Sequence, residues 1–167
     1  MENSNDSVVQ VYYGKGQGKT SAAVGQCIRA ASKGYSVIII QFLKGKDTDE
    51  FSFLAQLEPQ IKLFSFERET ENFDELTPGK QKEETLNILN GFNFAKKVIN
   101  SMECDVLVLD EVLGLIDLEI ITIDDIISLI NTRNYRRLVI TGQRLPEEIH
   151  DVADVISKIN LEKDTTV

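Results

Sequence analysis

The chain has 167 residues, 42% of them hydrophobic and 27% charged, which suits one globular domain large enough to bury most of its unfolded surface. Its 18 basic and 27 acidic side chains give a net charge of −9 with no basic stripe, arguing against nucleic-acid partners, which are held through lysine and arginine. The apolar runs VIIIQFL and VLVLD fall well short of the roughly 20 residues that span a bilayer, which argues against a membrane partner.

The polar segment Met1–Ser7 lacks the basic start and apolar run of a signal peptide, so a cytoplasmic protein is expected. Val8–Tyr13 reads as a strand and Gly18–Lys33 as the helix after it. Ser36–Phe42 is a continuous β-branched run that suits a parallel strand covered on both faces. Asp49–Leu57 predicts a short helix ended by Pro59, and Ile61–Phe66 alternates as a third strand. Residues 67–82 are polar and acidic, and read either as a ligand loop or as a plain connector. Lys80–Ser101 carries a helical pattern, and CDVLVLDE is the clearest buried strand. Thr122 caps a predicted helix to Thr132, with Asp124 and Asp125 at its positive end. RRLVITG, a helix over Pro146–Val152 and DVISKI complete a β/α alternation. Such alternation predicts a single domain over 1–167 with a mostly parallel central sheet flanked by helices. Cys27 and Cys104 are too few for a disulfide framework and are expected to be core thiols. His150 has no neighbouring histidine or cysteine cluster and is expected at the surface.

The chemistry concentrates in YYGKGQGKTS, residues 12–21. Gly14, Gly16 and Gly18 permit close backbone approach between a strand and a helix, where N–H groups can surround phosphate. Lys19 can reach phosphate oxygens and Thr20 can offer its hydroxyl to Mg²⁺. The usual GxxxxGK[ST] pattern would place glycine where Tyr13 stands. Asp110 and Glu111, directly after VLVL, can hold Mg²⁺ or orient its waters, or else form a solvated helix cap. Lys15 is either a cation near phosphate or a solvated side chain. Nucleotide binding alone leaves kinase, ATPase, switch and transferase readings open.

Three stretches taken together narrow the choice: VYYGKGQGKTSAAVGQCIRAASKGYSVIIIQFLKG, DVLVLDEVLGLI and RRLVITGQRLPEEIHDVADVI. In this order they resemble the P-loop, RecA-like corrinoid adenosyltransferases, also called cob(I)yrinic acid a,c-diamide adenosyltransferases. That family also lacks the first P-loop glycine. The resemblance implies a RecA-like fold, ATP and Mg²⁺, and a reduced corrinoid whose cobalt(I) attacks the ribose 5′-carbon as triphosphate leaves. A small ATPase or kinase, or an inactive ATP- and corrinoid-binding relative, is the alternative.

By the resemblance, the nucleotide would be held by Gly14, Lys15, Gly16, Gln17, Gly18, Lys19, Thr20 and Ser21. Thr20, Asp110 and Glu111 would form the metal site, and Lys19, Thr20 and Glu111 the catalytic set. Gln41, Phe42 and Lys44 end the second strand; Gln41 and Phe42 either touch substrate or finish the sheet, and Lys44 is a further candidate or a solvated charge. Gln143 stands where the family has arginine after TG, leaving Arg144 either at an anion or in solvent. FERETENFDE replaces a GEGFTW-like stretch, keeping Phe66 and Phe73 as aromatics for a corrin face or for the core. Seven residues precede the first strand, and NLEKDTTV stands in place of a KHPF-containing segment, which marks an atypical short member. A homodimer and a flavoprotein reductant are further implications of the resemblance.

Overall fold

A computed structural model describes residues 6–43 and 49–166, residues 49–51 by their backbone. Lys44 lies outside the described residues. Among the described residues, six strands form one sheet: β1 (Val8–Tyr13), β2 (Val37–Gln41), β3 (Ile61–Ser65), β4 (Val106–Asp110), β5 (Arg137–Gly142) and β6 (Val155–Lys158). Every pairing is parallel, and the spatial order is β3-β2-β4-β5-β1-β6. The expected parallel α/β architecture is therefore present.

The helices are α1 (Lys19–Ser32), α2 (Asp49–Leu54), α3 (Pro78–Asn100), α4 (Gly114–Asp117), α5 (Ile123–Asn131) and α6 (Glu147–Val152). Because side chains alternate across a strand, β1 to β5 each feed two cores. Ile38, Ile40, Leu107, Leu109, Leu138 and Ile140 pack with Ile88, Phe92 and Val98 of α3 and Ile126 and Ile130 of α5. Val37, Ile39, Val106, Val108 and Val139 pack on the opposite face with Ala23 and Cys27 of α1. Two-sided burial is why β2 and β4 read as unbroken apolar runs: Val37–Ile40 and all of Val106–Asp110 are buried. Burying each such Ile, Leu or Val contributes roughly 1.5–3 kcal/mol.

Local boundaries differ from the sequence expectation where side-chain chemistry intervenes. α3 begins two residues before Lys80, because Thr77 caps it, accepting from the Lys80 N–H at 3.4 Å, with Pro78 in the first turn. Thr122 caps α5 as expected, in a reciprocal box: its Oγ1 accepts from Asp125 N–H at 3.2 Å and its own N–H donates to Asp125 Oδ2 at 2.8 Å. These bonds hold the Asp125 carboxyl below its ordinary range. Helix α4 interrupts the path after β4, where no separate helix was expected. Residues 67–77 carry only a one-turn 3₁₀ helix, Phe73–Glu75.

Cys27 and Cys104 are buried, as expected, and burial pushes both thiols up to about 12. His150 is exposed. Among the described residues, no helix is long and apolar enough to cross a membrane.

Candidate active site

The sheet order decides which loops meet. β5 lies between β4 and β1, so the loop leaving β1 and the acidic end of β4 sit at the same C-terminal edge, one strand apart. Parallel α/β sheets place ligands at that edge.

Tyr13 explains the missing glycine. It is the last residue of β1, paired with Gly142 on one side and Lys158 on the other, so the loop proper starts at Gly14. Gly14 and Gly18 take φ of 122° and 104°, in the left-handed range that glycine occupies without strain. Gly14 N–H is shared between the Gly142 and Gln143 carbonyls, each at 3.2 Å. Gly16 N–H donates to the Ile159 carbonyl at 3.0 Å. A Cβ on Gly14 would lie 2.2 Å from the Ile159 oxygen, and one on Gly16 2.8 Å from it. The first two loop glycines are therefore demanded by the backbone after β6, which crosses the loop, as well as by any phosphate.

Gly18 is the N-cap of α1 and offers no side-chain cap. The first-turn N–H groups of a helix have no intrahelical acceptor, and here they stand at the positive end of the helix dipole. Lys19 is buried, 9% exposed, and its Nζ donates to the Gly16 carbonyl at 2.8 Å. The ammonium thus lies folded back along the loop that should hold phosphate.

Thr20 Oγ1 donates toward both oxygens of Asp110, at 3.1 and 3.2 Å. Asp110 is only 3% exposed, which rules out a solvated helix cap, and its Oδ1 also accepts from Thr141 Oγ1 at 2.7 Å. Thr141 Oγ1 in turn accepts the Glu111 N–H at 2.8 Å. Glu111 has φ 58°, a left-handed conformation that costs a non-glycine residue of order 1–3 kcal/mol. The Thr141 bond holds the backbone there. Burial pushes the Glu111 carboxyl up, the Asp110 charge adds to the rise, and Lys19 opposes it.

Thr141 was not among the sequence candidates, although a polar residue ending the buried run RRLVIT was the available signal. Thr141→Val keeps the shape but leaves the Glu111 N–H without its acceptor and removes one of the hydrogen bonds to Asp110 Oδ1. An unsatisfied buried group costs about 1–3 kcal/mol, so the variant is expected to unfold at correspondingly lower urea with an unchanged slope.

The other candidates scatter. Lys15, Gln17 and Ser21 are exposed on the loop and the first turn of α1. Gln41 is half-buried at the end of β2, in register with Asp110, while Phe42 is buried in the core. Phe66 packs against Phe94, with ring centroids 5.4 Å apart, and so serves the core. Phe73 lines a cavity of about 690 Å³ beside Glu111. Its walls come from Leu43 after β2, residues 67–76, Glu84 and Ile88 of α3, the α4 region and Gln143. Arg144 is exposed and does not line it, so the one-residue displacement puts glutamine on the wall. The volume falls within the range of small-molecule sites.

Mg²⁺ usually takes one or two carboxylates plus phosphate oxygens and keeps several waters. Thr20 Oγ1 and the Asp110 and Glu111 carboxylates are hard oxygen donors of that kind, grouped at the helix start. Among the described residues no group of three or more His, Cys, Asp or Glu is placed to hold a metal ion.

The chain is 28% identical over 156 residues to the corrinoid adenosyltransferase CobA of Salmonella typhimurium, covering 91% of this chain and 76% of that one. It is 26% identical over 156 residues to the corrinoid adenosyltransferase of Escherichia coli, with the same coverage. A KaiC-like protein of Pyrococcus horikoshii superposes with a TM-score of 0.58 at 16% identity, over 96% of this chain and 74% of its own, a likeness of fold alone. The fold is accordingly the RecA-like P-loop type. The family model for ATP:corrinoid adenosyltransferase BtuR/CobO/CobP matches residues 5–166, and the chain belongs to that family of enzymes.

Proposed function

We propose that this protein transfers the 5′-deoxyadenosyl group of ATP to the cobalt(I) of a corrinoid and releases intact triphosphate. The observation that carries the reading is the continuous chain Thr20–Asp110–Thr141–Glu111, with Lys19 beside it, at the edge of the Glu111-lined cavity. A nucleotide on the loop and a second substrate in the cavity would be neighbours.

Cobalt(I) brings its own electron pair, so no side chain has to deprotonate a nucleophile. The protein's work is to align the 5′-carbon, neutralise the departing phosphates and exclude water. The α1 N-terminus and the loop N–H groups would hold phosphate oxygens, and Lys19 would turn from the Gly16 carbonyl to the same chain. Thr20, Asp110 and Glu111 would hold Mg²⁺, which supplies charge neutralisation for the leaving group. Leu43, Phe73 and Leu118 would exclude water from the second substrate.

The reading extends to one domain over 1–167, a cytoplasmic setting, a homodimer and a flavoprotein that keeps cobalt reduced. Sedimentation across concentrations tests the dimer. The function itself is tested by incubating the protein with ATP, Mg²⁺ and chemically reduced cobinamide. A light-sensitive adenosyl product is expected; no product, despite measured ATP binding, would overturn the reading.

A further inference from the structure

Glu84 has no part in the chemistry proposed above, yet its side chain is only 4% exposed. Acidic residues are almost never buried this fully unless they are paired. Its partners are amide N–H groups. Oε2 accepts the Glu69 N–H at 2.6 Å, both oxygens share the Arg68 N–H at 3.0 and 3.2 Å, and Oε1 accepts from Asn87 Nδ2 at 2.9 Å. Hydrogen bonds to a carboxylate are roughly twice as strong as those between neutral groups.

These bonds fall on a segment with little structure of its own. Residues 67–77 carry one 3₁₀ turn, Phe73–Glu75, and join no strand ladder among the described residues. Helix α3 reaches the segment a second time through Gln81, whose Nε2 donates to the Phe73 carbonyl at 3.0 Å. Glu67 Oε1, at its start, accepts the Leu43 N–H at 2.7 Å. Loops of this kind open at low cost unless something ties them down. Yet this loop supplies Glu69, Phe73 and Leu76 to the cavity that Glu111 and Leu118 also line. The Glu84 carboxylate ties it to α3 directly after β3, before the chain passes along the cavity.

We infer that Glu84 is a positioning residue for the second substrate: by holding the Arg68 and Glu69 N–H groups it fixes residues 67–76 as a wall of the cavity. It acts on binding at the cavity and leaves the nucleotide loop alone. The inference rests on the adenosyltransfer reading for what enters the cavity.

Glu84→Gln keeps the shape and replaces one acceptor oxygen by a donor, so that either the Glu69 N–H or the Asn87 amide faces an N–H group. Amide hydrogen exchange, followed by NMR, reads the tie itself. Exchange at Arg68 and Glu69 is expected to quicken about 10-fold or more in the variant, with the amides of β4 unchanged. The KM for cobalt(I) cobinamide and the Kd for cobalt(III) cobinamide should each rise about 10-fold, equivalent to about 1.4 kcal/mol. The Kd for Mg·ATP, and kcat at saturating corrinoid, should stay within about threefold of wild type. Glu83→Gln, which removes the exposed neighbouring charge, should move none of these quantities.

A second measurement needs only the wild type. Coupling is reciprocal, so saturating cobalt(III) cobinamide should slow exchange at Arg68 and Glu69 about 10-fold, whereas Mg·ATP alone should not. Quickened exchange with unchanged corrinoid binding would overturn the inference, as would weakened binding with unchanged exchange, the mark of direct contact. Equal loss of ATP binding, or bound cobinamide that leaves the two amides unslowed, would overturn it too. All these results leave adenosyltransfer standing. Wild-type protein that binds ATP but neither binds nor adenosylates cobinamide would instead defeat the adenosyltransfer reading, and the inference with it.

Discussion

Lys19→Ala is expected to slow adenosylation of reduced corrinoid roughly 10²–10³-fold while leaving the protein folded. The loss corresponds to about 2.7–4 kcal/mol, the scale for removing one preorganised donor from a developing anion. The ammonium is already desolvated beside the loop, 9% exposed and bonded to the Gly16 carbonyl, so little reorganisation is needed for it to meet a phosphate oxygen. The fold should tolerate the change because α1 is anchored on its other side by Ala23 and Cys27 in the core. A surface lysine would behave differently, since such substitutions usually stay within about 0.5 kcal/mol. Steady-state kinetics at subsaturating and saturating ATP, with circular dichroism as control, distinguish the two. Near-wild-type turnover at both ATP levels would remove Lys19 from the catalytic set.

Glu111→Gln is expected to divide stability from activity. In the free protein, burial disfavours the ionised Glu111 carboxylate and Asp110 beside it adds repulsion, so the folded state holds the Glu111 proton more tightly than the unfolded state does. With the folded pKa raised, Glu111 favours the fold at acidic pH and disfavours it as pH climbs past the ordinary carboxylate range. Glutamine removes that charge. The apo variant should therefore melt higher than wild type at neutral pH, by the ~0.5–2 kcal/mol typical of stabilising substitutions, and the gap should close toward acidic pH. Catalysis should fall roughly 10²–10³-fold if Glu111 holds the metal beside the leaving group. Mg·ATP should then raise the wild-type Tm more than the variant's, because ligand stabilisation follows affinity. An apo variant no more stable than wild type, with full activity, would contradict both roles.

Much of this was written locally in the chain. β2 and β4 announce themselves because both faces are buried, and the loop from Gly14 to Thr20 because a strand, glycines and GKT follow one another. Asp110 and Glu111 are legible as acids ending such a strand. What was not legible depends on non-local pairing. Strand order requires β5 to insert between β4 and β1, and no local pattern encodes that. Thr141 matters only because the insertion brings it to Asp110. Glu84 looks like a surface acid on α3 until the chain near Arg68 folds onto it and donates its N–H groups. Residues 67–76, equally readable as a connector, prove to be a cavity wall for the same reason. Helix α4 was hidden because its four residues, Gly114–Asp117, are too few for a helical period to show.

The fate of the phosphates tests the central claim most directly. Phosphorus NMR of a turnover mixture containing ATP, Mg²⁺ and cobalt(I) cobinamide should show intact triphosphate accumulating in step with the adenosyl-corrinoid. ADP with inorganic phosphate, formed at the rate of ATP loss and without adenosyl product, would contradict it.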